Sequence, residues 1–500
     1  MGVLEGYMLG FANVFTLQNF PAIFIGVVLG LMFGAIPGIT TSMGMALVLP
    51  VTFTMPLFPA IGLLLGIYVG GTTSGFIPSI LLNIPGTPAS IATTFDGHPM
   101  ARRGEASTAL GIALLSSFIG GILSLLVLFT LAPVVASVAL SFGPVEFFSI
   151  VALTFVLVAS LSGKSLLKGL ISAMLGVMLT TIGMAPLDGV LRYTFGFHAL
   201  NGGLNLMPVL IGAYAVTEVL TTAEFNVPMA KTGIYKLNGF GLTLREAKSQ
   251  IINWLRSALI GIGVGILPGI GANVSNLLAH AAAKSQSKYP EKFGTGIKDG
   301  VVAPETANNA VCGSSMIPVL TLGIPADPGT AMLLVAMTIH GVQAGPLLFE
   351  RNPELIFTIF AFMIVAFVIM ISTGYFGMRI FLKVLSVPKH ILLPIILVVC
   401  CVGAFSLNNR LFDVGSIIFI AVLSYGMSKF KYPLAPFILG FILGDLFETS
   451  LRRSLMFTRG SMMDFFQHPV FVVVLVIFVF VVAFTVRSQI KQQKKSVGGR

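Results

Sequence analysis

The sequence predicts an all-α polytopic membrane protein of about ten to twelve transmembrane helices. They are expected to form two homologous, inverted repeats, with helices broken or turned into hairpins at corresponding places. Three observations lead there. Hydrophobic residues make up 56% of the 500-residue chain and charged residues 9%, whereas a soluble domain carries roughly 25% charged residues. Apolar stretches recur from Phe20 to Val486, and a spanning helix needs about 20 mostly apolar residues. The chain also repeats itself. Residues 30–39, GLMFGAIPGI, match 261–270, GIGVGILPGI, at five of ten positions, and 77–88, IPSILLNIPGTP, match 317–328, IPVLTLGIPADP, at six of twelve.

Taken in order, the N-terminal segment 1–19 has no basic n-region, so no cleaved signal peptide is expected. The first membrane repeat covers 20–220. It opens on Phe20–Ile36, which Pro37 and Gly38 interrupt ahead of Thr40, Thr41 and Ser42. Gly70–Gly75 is a run of small and hydroxyl residues suited to close helix packing. Two prolines three residues apart in Asn83-Ile84-Pro85-Gly86-Thr87-Pro88 forbid a straight helix, so this stretch reads as a hairpin tip or an unwound crossover. Asp96-Gly97-His98-Pro99 reads as a loop, and Ala109–Leu131 and Phe147–Ser160 as spans. Residues 221–251 form a polar connecting loop with Lys231, Lys236, Arg245 and Lys248.

The second repeat covers 252–450. Pro268 and Gly269 break it ahead of Gly271, Asn273, Ser275 and Asn276. Its two motifs lie further apart than those of the first repeat, and the Lys-rich connection Lys284–Lys298 takes the excess. Ala303-Pro304-Glu305-Thr306-Ala307-Asn308-Asn309-Ala310 and the small run through Ser314 and Ser315 follow, then the crossover Gly323–Pro328 with Pro325 and Asp327. Phe357–Ile380 and Ile391–Phe405 are further spans. Residues 451–487 hold an interfacial segment and the last span, and 488–500 a basic tail. Basic residues beside spans mark the cytoplasmic side, which places the tail and the central loop inside. Arg452, Arg453 and Arg459 then fall outside if the last span crosses once.

Several chemistries are excluded. The net charge of +11 sits in loops and the tail, so no nucleic-acid partner follows. Three cysteines, two of them adjacent, make no disulfide framework, and no CxxC or HExxH spacing calls for a transition metal. Gly163-Lys164-Ser165 lacks the first glycine of a phosphate-binding loop. Nothing pairs a nucleophile with a base, so no enzyme is expected. A passive anion channel is the competing reading, and the paired breaks favour a transporter over it.

A helix break inside a membrane survives only within protein or beside a watery cavity, because free backbone groups are costly in hydrocarbon. A helix that restarts after such a break presents free N–H groups and a partial positive charge, both attractive to a carboxylate. The candidate substrate residues are therefore those at the breaks: Gly38, Thr40, Thr41, Ser42, Asn83, Gly86, Thr87, Gly269, Gly271, Asn273, Ser275, Asn276, Pro325 and Asp327. Either Asn273 or Asn276 is expected to bind substrate or ion. Glu305, with Thr306, Asn308, Asn309, Ser314 and Ser315, is the candidate for ion coupling or gating, since an intramembrane carboxylate is functional by default. The alternative is that Glu305 is an interfacial charge starting a helix after Pro304 at its first position. Asp327 also reads as a turn cap, and His280 and His340, each standing alone in the sequence, as packed or interfacial side chains in preference to a proton relay.

The runs GAIPGI, GILPGIGANVSN, APETANNAVCGSSMIPVLTLGIPADPGTAM and KYPLAPFILGFILGDLFE together resemble the large membrane subunit of the tripartite tricarboxylate transporters, over roughly residues 10–490. The resemblance implies ion-gradient-driven uptake of a carboxylate, such as citrate or a related di- or monocarboxylate, across the bacterial inner membrane. It implies Na+ or H+ as coupling ion, with Na+ near the broken helices and no other cofactor. It implies two partners, a small four-span membrane subunit and a periplasmic solute-binding protein. An elevator-like architecture and a dimer accord with it.

Overall fold

A computed structural model describes residues 2–161, 165–224, 239–269, 271–384 and 389–497. Lys231, Lys236, Gly163, Lys164, Ile270 and the last three residues of the tail lie outside them. The protein is a helical bundle. Among the described residues its only sheet is a two-stranded hairpin pairing Gly183 with Arg192 and Met184 with Leu191. Among the described residues seven helices are long and apolar enough to cross a membrane, or up to eight if the bent pair Leu4–Val14 and Asn19–Ala35 counts as one span. This is fewer than the ten to twelve expected from sequence. Further apolar helices are shorter over their described residues: Thr41–Thr52, Pro144–Ser160, Leu166–Thr180, Pro328–Ile339 and Leu393–Ser406.

The N-terminal half of the core is a V followed by a return. Asn19–Ala35 ends at Ile36, and the chain turns at Gly38, whose φ of 91° favours glycine. Thr41–Thr52 leads away and Leu57–Ser74 comes back. A Cβ at Gly26, Gly30 or Gly34 would collide with the backbone at Leu63, Ile67 and Gly71 respectively. Both series of numbers rise together, so Asn19–Ala35 and Leu57–Ser74 are parallel helices in small-residue contact. The latter continues after a break at Gly75 as Phe76–Leu82 and stops at Asn83 in the left-handed conformation. The chain then runs extended, back to the level of that break, where Gly86 N–H donates to Gly75 O at 3.2 Å. There it restarts at Pro88 and continues as Ile91–Arg102. The Asn83–Pro88 stretch is thus a crossover, one of the two forms expected.

The segment from 244 to 339 has the same order of elements. Leu244–Ile266 turns at Gly269 (φ 80°) into Gly271–Gln286. Asp299–Ser314 breaks at Ser315, continues as Met316–Leu322 and stops at Gly323 with φ of 70°. An extended stretch leads to Pro328–Ile339. Gly261 and Gly265 press on the turns around Ala307 and Ser314, as their counterparts do. Between the two segments, Tyr68 meets Ser315 at 2.8 Å, while Asn308 donates to Thr72 O at 2.9 Å and Thr73 donates to Asn309 at 2.6 Å. The earlier residue, Tyr68, meets the later Ser315, while the later Thr72 and Thr73 meet the earlier Asn308 and Asn309, so Leu57–Ser74 and Asp299–Ser314 are antiparallel.

Two sequence readings change. The helix begins at Asp299, so Pro304 lies inside it and Glu305 is fully buried; the interfacial helix-start reading fails. Asp96 is no loop residue but a buried member of Ile91–Arg102. The packed His280 has its Nε2 3.0 Å from Asp96 Oδ2, while Asp96 Oδ1 accepts the N–H groups of Gly294, Gly296 and Ile297. His340 contacts Ala336 O and Met55 O. The Lys284–Lys298 connection is therefore wrapped round a carboxylate of the other half. Lys298, beside Glu246 at this exposed end, holds that carboxyl down to about 2. Arg452 lies near the end of Leu434–Phe457, paired with Glu448 and Asp188.

Candidate functional site

Both breaks and both crossovers open on one cavity of about 360 Å³. Its wall includes Thr40, Thr41 and Ser42 from the first break, Thr87, Pro88 and Ala89 from the first crossover, Gly269, Gly271, Ala272 and Asn273 from the second break, and Asp327, Pro328 and Gly329 from the second crossover. Each of these four groups is the beginning of a helix. A beginning helix has free backbone N–H groups and the positive end of the helix dipole, equivalent to roughly half a charge. Four such ends around one space favour an anion.

The sequence makes these starts with different local chemistry. Thr40 Oγ1 accepts the Met43 N–H at 3.2 Å and lies 3.0 Å from Ser42 Oγ. Asp327 Oδ1 accepts the Thr330 N–H at 2.8 Å, and its Oδ2 accepts the Tyr68 hydroxyl at 2.5 Å. Both are N-cap arrangements. Pro88 and Pro328 sit at first helical positions, where the missing N–H costs nothing. Gly269 N–H donates to Ala326 O at 2.7 Å and so pins the second break to the second crossover. At Thr87 the backbone N–H donates to Ser90 Oγ at 3.3 Å, but its own Oγ1 is buried without a hydrogen-bond partner.

The remaining wall comes from Ala213, Tyr214, Thr217, Glu218 and Thr221, and from Ser428, Leu434, Ala435 and Leu439. Tyr214 lies in a π-helical stretch, Ile211–Val216, a widening of the helix that recurs at functional sites. Among the described lining residues there is no Lys, Arg or His, and the two carboxylates are Glu218 and Asp327. The polar surface is mainly hydroxyl, with Asn273 as its amide.

Of the substrate residues expected from sequence, Thr40, Thr41, Ser42, Thr87, Gly269, Gly271, Asn273 and Asp327 line the cavity. The others lie behind it. Gly38 makes the turn, and its carbonyl accepts Thr222 Oγ1 at 3.4 Å. Asn83 ends a helix at the far side of its crossover, Gly86 packs on Gly34 and Gly75, and Pro325 lies within the second crossover. Ser275 donates to Ala272 O at 3.1 Å. Asn276 is buried and donates to the same carbonyl, with its Oδ1 unpaired. The residues expected from sequence to serve coupling or gating lie elsewhere, in the seam between the halves. Glu305 accepts hydroxyl bonds from Thr93 at 2.5 Å and Ser117 at 3.0 Å, and Thr306, Asn308, Asn309, Ser314 and Ser315 are buried with it.

Sequence reasoning missed Tyr68, Tyr214, Thr217 and Glu218. Glu218 had a readable signal, an acid inside an otherwise apolar run of spanning length. Tyr68 had none, because its role depends on the partner Asp327 that lies 259 residues away.

Comparison with known proteins gives one family and two relatives. The tripartite tricarboxylate transporter TctA family matches residues 20–439. An uncharacterized 52.8 kDa protein from the TAR-I ttuC' 3' region of Agrobacterium vitis is 34% identical over 470 residues, covering 94% of this chain and 93% of its own. A protein from the TAR-II ttuC' 3' region of the same organism is 36% identical over 207 residues, covering 41% of this chain and 86% of its own. No solved structure matches. The family match covers both breaks, both crossovers and every helix start at the cavity: the chain belongs to the tripartite tricarboxylate transporter TctA family, as a multi-pass membrane subunit of a tricarboxylate transporter.

Proposed function

We propose that the protein carries out secondary uptake of a carboxylate, driven by a gradient of Na+ or H+, across a bacterial inner membrane. In this reading it is the large subunit of a tripartite system, working with a small four-span subunit and a periplasmic binding protein. The carrying observation is the cavity where four helix starts converge without a basic side chain. Helix ends hold an anion more loosely than a fixed Arg does, and a site that must also release its cargo suits that arrangement.

The two halves are read as an inverted repeat. Matching break positions, the paired left-handed residues Asn83 and Gly323, and the antiparallel Tyr68–Ser315 and Thr72–Asn308 contacts support this. Such pairs of halves exchange roles as a site changes sides, the basis of alternating access. Sidedness follows from charge. The loops around Arg103, Arg245 and the Lys284–Lys298 connection meet through Arg103 and Gly296 and through Lys298 and Glu246. They gather Lys and Arg at one end of the bundle, which reads as cytoplasmic.

The test is uptake of labelled citrate, succinate and a monocarboxylate into proteoliposomes bearing the chain and its small subunit, with the binding protein outside. Accumulation above equilibrium under an imposed sodium or proton gradient is expected. Equilibration alone would identify a channel.

A further inference from the structure

We propose that Asp327, and not the more deeply buried Glu305, is the carboxylate that holds the monovalent cation travelling with the substrate. This rests on the carboxylate-uptake reading above.

Capping alone does not explain Asp327. The corresponding residue of the first half is Thr87, a neutral side chain at the start of an equivalent helix. The N-cap preference is met by Asn, Ser or Thr as well as by Asp, so the negative charge at 327 is additional. It is also expensive, since a buried carboxylate unpaired with a cation is strongly disfavoured. The groups facing it are Tyr68 and Thr330 through hydrogen bonds, Ser315 one step further through the Tyr68 hydroxyl, Cys312 and Tyr214 within electrostatic reach, and Glu218 on the same cavity wall. None is cationic.

A substrate carboxylate entering this cavity meets Asp327 directly, and like charges in a water-poor site repel. Binding of the substrate then requires something to neutralise Asp327. A proton on an oxygen, or a sodium ion using the carboxylate's remaining acceptor sites, has the same effect. Tyr68 completes the arrangement. Its hydroxyl bonds Asp327 at 2.5 Å and Ser315 at 2.8 Å, so the state of the carboxylate is felt where Asp299–Ser314 breaks. Glu305 has no such position. It lies off the cavity, satisfied by Thr93 and Ser117, and acts as a seam between the halves.

The experiment uses the purified full-length chain and three variants. Asp327→Asn keeps the cap and removes the charge, Asp327→Thr copies the first half, and Glu305→Gln is the control for buried acids. Citrate affinity is measured by calorimetry with sodium against choline, and at acid against alkaline pH. Retention of radioactive sodium and proton uptake are measured without substrate. In the wild type, one of the two cations should raise citrate affinity by about tenfold or more. Sodium and pH arms decide which. Asp327→Asn and Asp327→Thr should bring that ratio to about one and abolish substrate-free cation binding, while Glu305→Gln keeps both. The proposal is overturned if folded Asp327→Asn retains the wild-type ratio, if the ratio is lost in Glu305→Gln instead, or if the wild type binds neither cation. It is also overturned if Asp327→Asn, monodisperse by size exclusion, binds cation normally but no citrate, which makes Asp327 a substrate contact. If no carboxylate binds the wild type, the carboxylate reading fails, and substrate-free cation binding still decides the role of Asp327.

Discussion

The two crossovers have nearly the same backbone and different chemistry. Both follow a helix stopped by a left-handed residue, Asn83 or Gly323, and both lead into a helix with Pro at its start. Yet Thr87 leaves its hydroxyl oxygen without a partner, while Asp327 is tied to Thr330 and Tyr68. The breaks differ in the same manner. Thr40 caps the first with a hydroxyl, whereas Gly271 opens the second with φ of 61° and leaves its polar group to Asn273. The two segments share their helix starts and differ in the side chains placed there. On the function proposed above, anion attraction is assigned to the backbone, and discrimination and coupling to the few side chains that differ.

The harshest way to break this comparison is to make the crossovers alike. Thr87→Asp puts a second carboxylate at a helix start that has no counterpart of Tyr68. Burying an ion without a partner costs several kcal/mol, so the variant is expected to lose that much stability or all uptake, by thermal unfolding in detergent and by transport. Wild-type behaviour would show that the first crossover is wet and unconstrained. A smaller effect is expected at the donor. Tyr68→Phe removes a hydrogen bond to a charged acceptor, worth about 1.5–3 kcal/mol. It should act in the second crossover only, and a matching loss for a hydroxyl removed near Thr87 would erase the contrast.

The two breaks separate through their asparagines. Asn273→Ala, on the cavity wall, should weaken carboxylate binding about tenfold. Asn276→Ala, behind it, should cost stability instead. The measurements are citrate affinity and unfolding temperature of each variant, and a reversed pattern would move the site one helical turn deeper.

Much of this was legible in the sequence, for reasons that particular residues make plain. The duplicated Gly and Pro positions carry local information, because φ above zero and a missing N–H act wherever the chain goes. Hence Gly38, Gly269, Pro88 and Pro328 mark the helix starts correctly. Asp96 reads as a loop residue when judged against its neighbours in sequence, and its partnership with His280 is a tertiary fact. The helix-start alternative for Glu305 fails similarly: Pro304 is a good start signal, but Asp299 begins the helix one turn and more earlier and packing carries Pro304 within it. The seam and the cavity are lined by the same residue types, so composition cannot tell Asn308 from Asn273. Only the antiparallel packing of the halves does.

The gentlest test sits on a pair of threonines. Both begin helices at the cavity, so a reading from sequence treats Thr40 and Thr87 as equivalent. The hydrogen bonds distinguish them. Thr40→Ala deletes an oxygen that accepts the Met43 N–H, and loss of an N-cap costs typically about 1 kcal/mol. Thr87→Val keeps the shape and removes a buried oxygen that has no partner, a change that is nearly neutral or stabilising by the same physics that makes unsatisfied polar atoms costly. Unfolding temperatures should therefore fall for Thr40→Ala and stay level or rise for Thr87→Val. Stability alone is then blind to any ligand. If Thr87→Val nonetheless loses citrate affinity or its dependence on cation, the first crossover contributes a ligand oxygen opposite Asp327. If neither stability nor binding changes, the first crossover acts through its helix start alone, and the chemical work of the two halves is carried by the second.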